Sequence, residues 1–262
     1  LRDEGPRDDP VPIVLIHGTS ASLHTWDGWA EALRGQRRVI RFDLPGFGLT
    51  GPNAAGDYSM AVYVQFVGAL LDQLGVQRAV LAGNSLGGEV AWATAHAMPE
   101  RVDKLILVDA AGYVFEAESV PIAFRIAATP GLSVLMRQLL PPGMVEKSVR
   151  SVYGDPARVT PQLVQRYRDL ALRAGNRHAL ATRMAQHNTG REQDIRDLKI
   201  PTLILWGARD RLIPPANGDR FAADIQGSQL VVFPELGHVP QEEDPAATVA
   251  VVQKFLEQPR SN

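Results

Sequence analysis

Ala79-Val80-Leu81-Ala82-Gly83-Asn84-Ser85-Leu86-Gly87-Gly88-Glu89-Val90-Ala91-Trp92 is the stretch whose reading decides the fold. Four apolar residues run into a Gly-x-Ser-x-Gly turn, and helical spacing begins directly behind it. Glycines on either side of Ser85 permit a sharp strand-to-helix turn that lifts the hydroxyl clear of a sheet. A helix starting there aims N–H groups and a positive dipole end at any charge developing on a bound carbonyl. The bare pattern is common in sequences, but its position between strand and helix makes it specific.

Working outward, the same alternation recurs along the chain. Ile13–His17, Arg38–Asp43, Ala79–Asn84, Lys104–Asp109, Thr202–Gly207 and Leu230–Pro234 read as strands. Most are continuously apolar, as expected of parallel strands covered on both faces. Trp26–Arg34, Ser59–Leu74, Leu86–Met98, Pro215–Asp224 and Pro245–Glu257 carry helical spacing, the last opened by an Asp244-Pro245 start signal. The pattern predicts an α/β fold, with a mostly parallel central sheet and helices on both faces. Leu1–Gly5 reads as the end of a strand running into a turn.

One segment breaks the rhythm. Helix-like spacing at Pro121–Ala128, Leu132–Leu140, Met144–Tyr153, Pro161–Ala174 and His178–Gln186 follows without an intervening strand. The expectation is a helical cap domain over residues 112–198, inserted into a core domain built from residues 1–111 and 199–262. Its apolar positions, Phe115, Phe124, Leu132, Leu135, Met136, Leu139 and Met144, are candidates for a substrate wall, together with Trp26 and Val239.

Composition narrows the function classes. Hydrophobic residues form 45% of the 262 and charged residues 21%, so a substantial buried core is available. A net charge of -2, with basic residues spread along the chain, argues against nucleic acid as a partner. Zero cysteines rule out a thiol nucleophile, thiolate metal sites and disulfides together. No run is long enough to span a membrane. The cytoplasm is the expected location, with a leader or anchor ahead of Leu1 left open.

A serine hydroxyl needs a base to take its proton. Of the six histidines, His238 in Leu236-Gly237-His238-Val239-Pro240 falls in the loop after the last strand, at the sheet edge that also carries Ser85. His24, His96, His178 and His187 have no such placement. The base in turn needs a carboxylate to hold its tautomer. Asp210, just past the strand Thr202–Gly207, is favoured, and Asp109, ending the strand before it, is the alternative. The oxyanion donors are expected to be the N–H groups of Leu86, directly after the nucleophile, and Thr19, in His17-Gly18-Thr19-Ser20-Ala21. His17 would brace that loop. Asp43-Leu44-Pro45-Gly46-Phe47-Gly48 lacks the full dinucleotide fingerprint, and no metal or other cofactor is expected.

The His17-Gly18 loop, the Asp43–Gly48 turn, the Gly83–Gly88 elbow, the Trp206-Gly207…Asp210 segment and Gly237-His238 together resemble the α/β-hydrolase superfamily, in its order and over essentially the whole chain. The resemblance implies a cap over the sheet edge and supports Asp210 as the acid. Ser85 sets the chain apart from the superfamily's haloalkane dehalogenases and epoxide hydrolases, which use an aspartate nucleophile. Asn84-Ser85-Leu86-Gly87-Gly88 is similar to capped esterases, monoacylglycerol-lipase-like proteins and meta-cleavage-product hydrolases. The last group carries a Gly-rich oxyanion loop and a Trp after the histidine, where this chain has Gly18-Thr19-Ser20-Ala21 and Val239. The expected activity is therefore hydrolysis of a small-to-medium hydrophobic carboxylic ester. Carbon–carbon bond or lactone hydrolysis with the same triad is the alternative, and a small-ligand receptor on this fold is the non-enzymatic one.

Overall fold

The computed structural model describes residues 1–114, 116–129, 140–186 and 191–259. Its frame is a seven-stranded sheet: β1 (Arg2–Glu4), β2 (Ile13–Ile16), β3 (Val39–Phe42), β4 (Ala79–Asn84), β5 (Val102–Val108), β6 (Thr202–Gly207) and β7 (Gln229–Phe233), in the order β1-β3-β2-β4-β5-β6-β7. Only β1 is antiparallel, pairing at the edge with β3. This is the strand that Leu1–Gly5 anticipated. The other strands run parallel, in register from Ile13↔Val80 on one side of β4 to Gly83↔Leu107 on the other.

Why both faces of these strands are apolar is visible residue by residue. Along β2, β4, β5 and β6, alternate side chains enter two separate cores. Val14, Leu81, Leu107 and Ile204 face one core, and Leu15, Val80, Ile106 and Leu205 face the other. The first core is closed by α2 (Met60–Gln73) and α3 (Leu86–Ala97), the second by α1 (Asp27–Leu33) and the C-terminal helix Pro245–Glu257. Trp29 in α1 donates its Nε1–H to Thr248 Oγ1 at 2.8 Å, tying those two helices together.

Between β5 and β6 the described residues form helices and no strand: α4 (Ile122–Ala128), α5 (Pro142–Val152), α6 (Pro161–Leu172), α7 (Asn176–Ala185) and α8 (Glu192–Arg196). The short α8 follows no clear sequence period and was not anticipated. After β6 come α9 (Ala216–Asp224), then β7, the four-residue α10 (Pro240–Glu243) and α11 (Pro245–Glu257). The expected helix at Leu132–Leu140 lies outside the described residues except for Leu140.

Candidate active site

The parallel strands end at one edge, and that edge collects the chemistry. Ser85 is the residue between β4 and α3, with φ 55° and ψ −118°. It is the serine itself, rather than a flanking glycine, that adopts the left-handed backbone. Gly83 and Gly87 are needed for space instead. A Cβ on Gly83 would lie 2.0 Å from the Gly87 carbonyl oxygen, and one on Gly87 would lie 2.1 Å from that of Ile16. The strain at Ser85 is held by bonds on both sides: its N–H donates to Val108 O, and its carbonyl accepts from Glu89 and Ala111, each at 3.1 Å.

His238 stands in the loop after β7. Its ring Nδ1 lies 2.7 Å from Asp210 Oδ2, and both side chains are buried. An ionised carboxylate can only accept, so Nδ1 carries the proton and Nε2 is left as the basic nitrogen. Asp210 is itself fixed, its Oδ1 accepting the N–H groups of Leu212 (2.8 Å) and Ile213 (3.0 Å). The side chain of Asn84, next to the serine, donates to the carbonyls of Val108 (3.1 Å) and His238 (2.9 Å). It links the Ser85 turn to the His238 loop. Among the described residues no direct hydrogen bond joins Ser85 Oγ to the imidazole, a contact that often tightens only around substrate.

The loop after β2 lies against the nucleophile: a Cβ on Gly18 would be 3.0 Å from Ser85 Cβ. His17 holds this loop from beneath. Its Nε2 accepts the Leu44 N–H at 2.9 Å, which makes Nδ1 the protonated nitrogen, and that group donates to Gly18 O at 2.7 Å. Burial pushes the His17 pKa below its usual range, consistent with a neutral ring. The Leu86 N–H is the first of α3, with no turn before it to accept it. The Thr19 N–H has no hydrogen-bond partner among the described residues.

An open cavity of about 80 Å³ begins at this loop. Ser20, Ala21, Phe47 and Gly48 form its floor, and Phe124, Leu140, Val145, Val149, Tyr167 and Leu180 are among its walls. Phe124 thus borders the cavity. Trp26 does not: it is wholly buried in the core on the opposite face of the sheet, against Trp29 with ring centroids 4.9 Å apart. Its position at the start of α1 turns it inward, away from the edge. Val239 is buried in the core on the cavity side without bordering the cavity. Leu135, Met136 and Leu139, with Phe115, Leu132 and His187, lie outside the described residues.

Asp109, the alternative acid, is also here. Its Oδ1 accepts the Gly207 N–H at 3.0 Å, and one donor atom each of Asp109, Asp210 and His238 lies within 4.8 Å of the others. The histidine's hydrogen bond nevertheless goes to Asp210.

One contributor escaped the sequence reading. Glu243 accepts N–H bonds from Gly237 (2.9 Å), Gly154 (3.0 Å) and Asp155 (2.8 Å), and Val152 O accepts the His238 N–H at 2.8 Å. The histidine loop is thereby bonded to the end of α5. A Glu five residues after a candidate histidine was the available signal, but its targets lie across a helical insertion.

The family model for the alpha/beta hydrolase fold matches residues 11–245. A 2-hydroxy-6-oxo-2,4-heptadienoate hydrolase of Pseudomonas putida is 31% identical, covering 94% of this chain and 88% of the relative. A 2-hydroxymuconate semialdehyde hydrolase of Pseudomonas putida is 32% identical over 98% of this chain and 89% of its own. Among solved structures, a meta-cleavage product hydrolase from Pseudomonas fluorescens superposes with a TM-score of 0.84 at 27% identity, covering 97% of this chain and 92% of that one. An esterase from Thermogutta terrifontis superposes at 0.81, with 27% identity and coverage of 97% and 91%. With the family model matching residues 11–245 and relatives 31% and 32% identical over 94% and 98% of the chain, the chain belongs to the α/β-hydrolase fold family.

Proposed function

We propose that the protein hydrolyses a carboxylic ester with a hydrophobic acyl or alcohol group, through an acyl-enzyme on Ser85. The observation that carries this reading is the largely apolar cavity lined by Ser20 and Ala21, in the same loop as Gly18, which packs on Ser85. His238 Nε2 takes the Ser85 proton as Oγ attacks the ester carbonyl, and Asp210 stabilises the resulting imidazolium. The Leu86 and Thr19 amides receive the oxyanion. His238 then protonates the departing alcohol, and a water attacks the acyl-enzyme in the same way, restoring Ser85. Residues 112–198 act as the cap that selects the substrate. An ester such as p-nitrophenyl butyrate needs no metal and no cofactor on this route.

A specific observation favours a second reading. Asn176 and Arg177 border the same cavity and add a polar and a cationic residue to its largely apolar lining. The carbon–carbon hydrolases among the relatives support that reading. Rates on p-nitrophenyl esters of increasing chain length, a lactone and a 2-hydroxy-6-oxo-dienoate, measured side by side, decide between them. Esters should exceed the dienoate in kcat/KM by at least tenfold. The reverse order would replace the ester reading with the second. In either case Ser85→Ala should lose about six orders of magnitude in kcat, the scale of nucleophile removal in serine hydrolases.

A further inference from the structure

Asp109 is a buried carboxyl group that no step above uses. It directly follows β5 with φ 44° and is wholly buried. Gly207 N–H occupies its Oδ1, while its Oδ2 is buried without a hydrogen-bond partner among the described residues. The carboxyl group is nonetheless in company, because one oxygen each of Asp109 and Asp210 and a ring nitrogen of His238 converge within 4.8 Å. Glu243 is the other charged group acting on it.

Two carboxylates this close in a dry site do not both keep a charge near neutral pH. The donors decide which one does. Asp210 receives three N–H groups, from Leu212, Ile213 and His238, whereas Asp109 receives one. Burial first, and then the charge of Asp210, push the Asp109 pKa well above the ordinary carboxylate range. We propose that Asp109 is a positioning residue, a neutral carboxylic acid whose O–H donates to Asp210 and restrains that carboxylate against His238.

The donated bond draws charge from Asp210. Without it Asp210 becomes a stronger base towards His238, the imidazolium is favoured, and the acid limb of the kcat/KM profile moves to higher pH. Asparagine reproduces the proposed state: its Oδ1 can accept from Gly207, its amide N–H can donate to Asp210, and it tolerates the left-handed backbone. Alanine removes the donor.

The inference rests on the serine-hydrolase reading only for its kinetic arm, so the test has two arms. Infrared spectra of wild type, D109N and D109A near neutral pH report the carbonyl band of a protonated carboxylic acid, independent of any substrate. In parallel, pH profiles are recorded for p-nitrophenyl butyrate hydrolysis and for labelling of Ser85 by a fluorophosphonate. In wild-type-minus-variant difference spectra a component of the band should be lost from both variants, whatever buried Glu89 and Glu242, whose pKa values burial also raises, contribute to the remainder. D109N should stay within about threefold of wild-type kcat/KM at neutral pH, less than 1 kcal/mol, with its acid limb unmoved. In D109A that limb should rise by about one unit, a tenfold change in the ionisation constant. If D109A does not fold, the band and D109N decide. Difference spectra without that component, an equal loss of kcat/KM in D109N and D109A, or a D109A limb that overlays wild type would overturn the proposal. Failure to turn over any ester, with band and labelling as expected, would count against the substrate reading alone.

Discussion

At the scale of single residues, the site is a set of hydrogen bonds that choose protonation states. His238 is held by Asp210 with its proton on Nδ1. Asp210→Asn would present an amide N–H to that nitrogen and favour the wrong tautomer, and kcat should fall by about 10⁴-fold. His17 gives a second consequence, with its sign set by burial. Its folded pKa lies below the unfolded one, so the unfolded chain takes up a proton first as pH drops. The stability from neutral His17 is complete above about pH 6.5 and is lost as pH falls from there through the folded value. Thermal melts between pH 8 and pH 5 should show this decline, and His17→Gln should be less stable at pH 8 but flatter below it. A wild type whose Tm rises on acidification through that window would contradict the assignment. His238 and Asp210 were legible in sequence because each sits just past a strand end. The Asp109–Asp210 convergence was not, because 100 residues and the whole insertion separate them.

Secondary-structure elements carry the next level of control. The elbow joins β4 to α3 with no room for side chains, so Gly87→Ala must force the Ile16 strand end aside. We expect little folded protein from that variant in a soluble-yield and circular-dichroism comparison. The histidine loop depends on a different device. Glu243 on α10 gathers three amides, two from the end of α5 and one from Gly237, and the last carbonyl of α5 accepts the His238 N–H. Glu243→Gln would replace one acceptor oxygen by a donor facing an N–H. A loss of about 1–3 kcal/mol in stability should follow, together with a lower kcat, because the loop that holds the base is loosened. Denaturant unfolding and kinetics on one ester substrate check both parts, and unchanged kcat with lowered stability would mean the tie is structural alone. The strand and helix periods were readable because they are local. Glu243 was not, since a glutamate ending a four-residue helix reads equally well as a solvated one.

Across the whole molecule, the sheet separates two cores with different duties. The core closed by α1 and α11 holds Trp26 and Trp29 and lies away from the site. The other continues into the helices between β5 and β6 and into the cavity. Trp26→Ala should therefore cost about 3–5 kcal/mol of stability and leave the ester chain-length preference unchanged. Phe124→Ala should do the reverse, shifting preference towards longer chains at a smaller cost in stability. A chain-length panel with unfolding curves on both variants tests the division. If Trp26→Ala altered the preference, the two faces would not be independent.

What the sequence by itself determined follows from short-range rules. Continuous apolar strands, helical spacing between them and a Gly-Asn-Ser-Leu-Gly turn specify a parallel α/β sheet and put Ser85, His238 and Asp210 at its edge. Tertiary structure alone decided that Trp26 faces the far core and that Glu243 bonds the histidine loop to the chain just after α5. Those outcomes depend on which way a side chain turns at a strand or helix end and on contacts across the insertion, and neither leaves a period in the sequence. The elbow at Ser85 shows both at once: its glycines were legible, while the reason for Gly83 and Gly87, backbone carbonyls packed where a side chain would be, appears only in the fold.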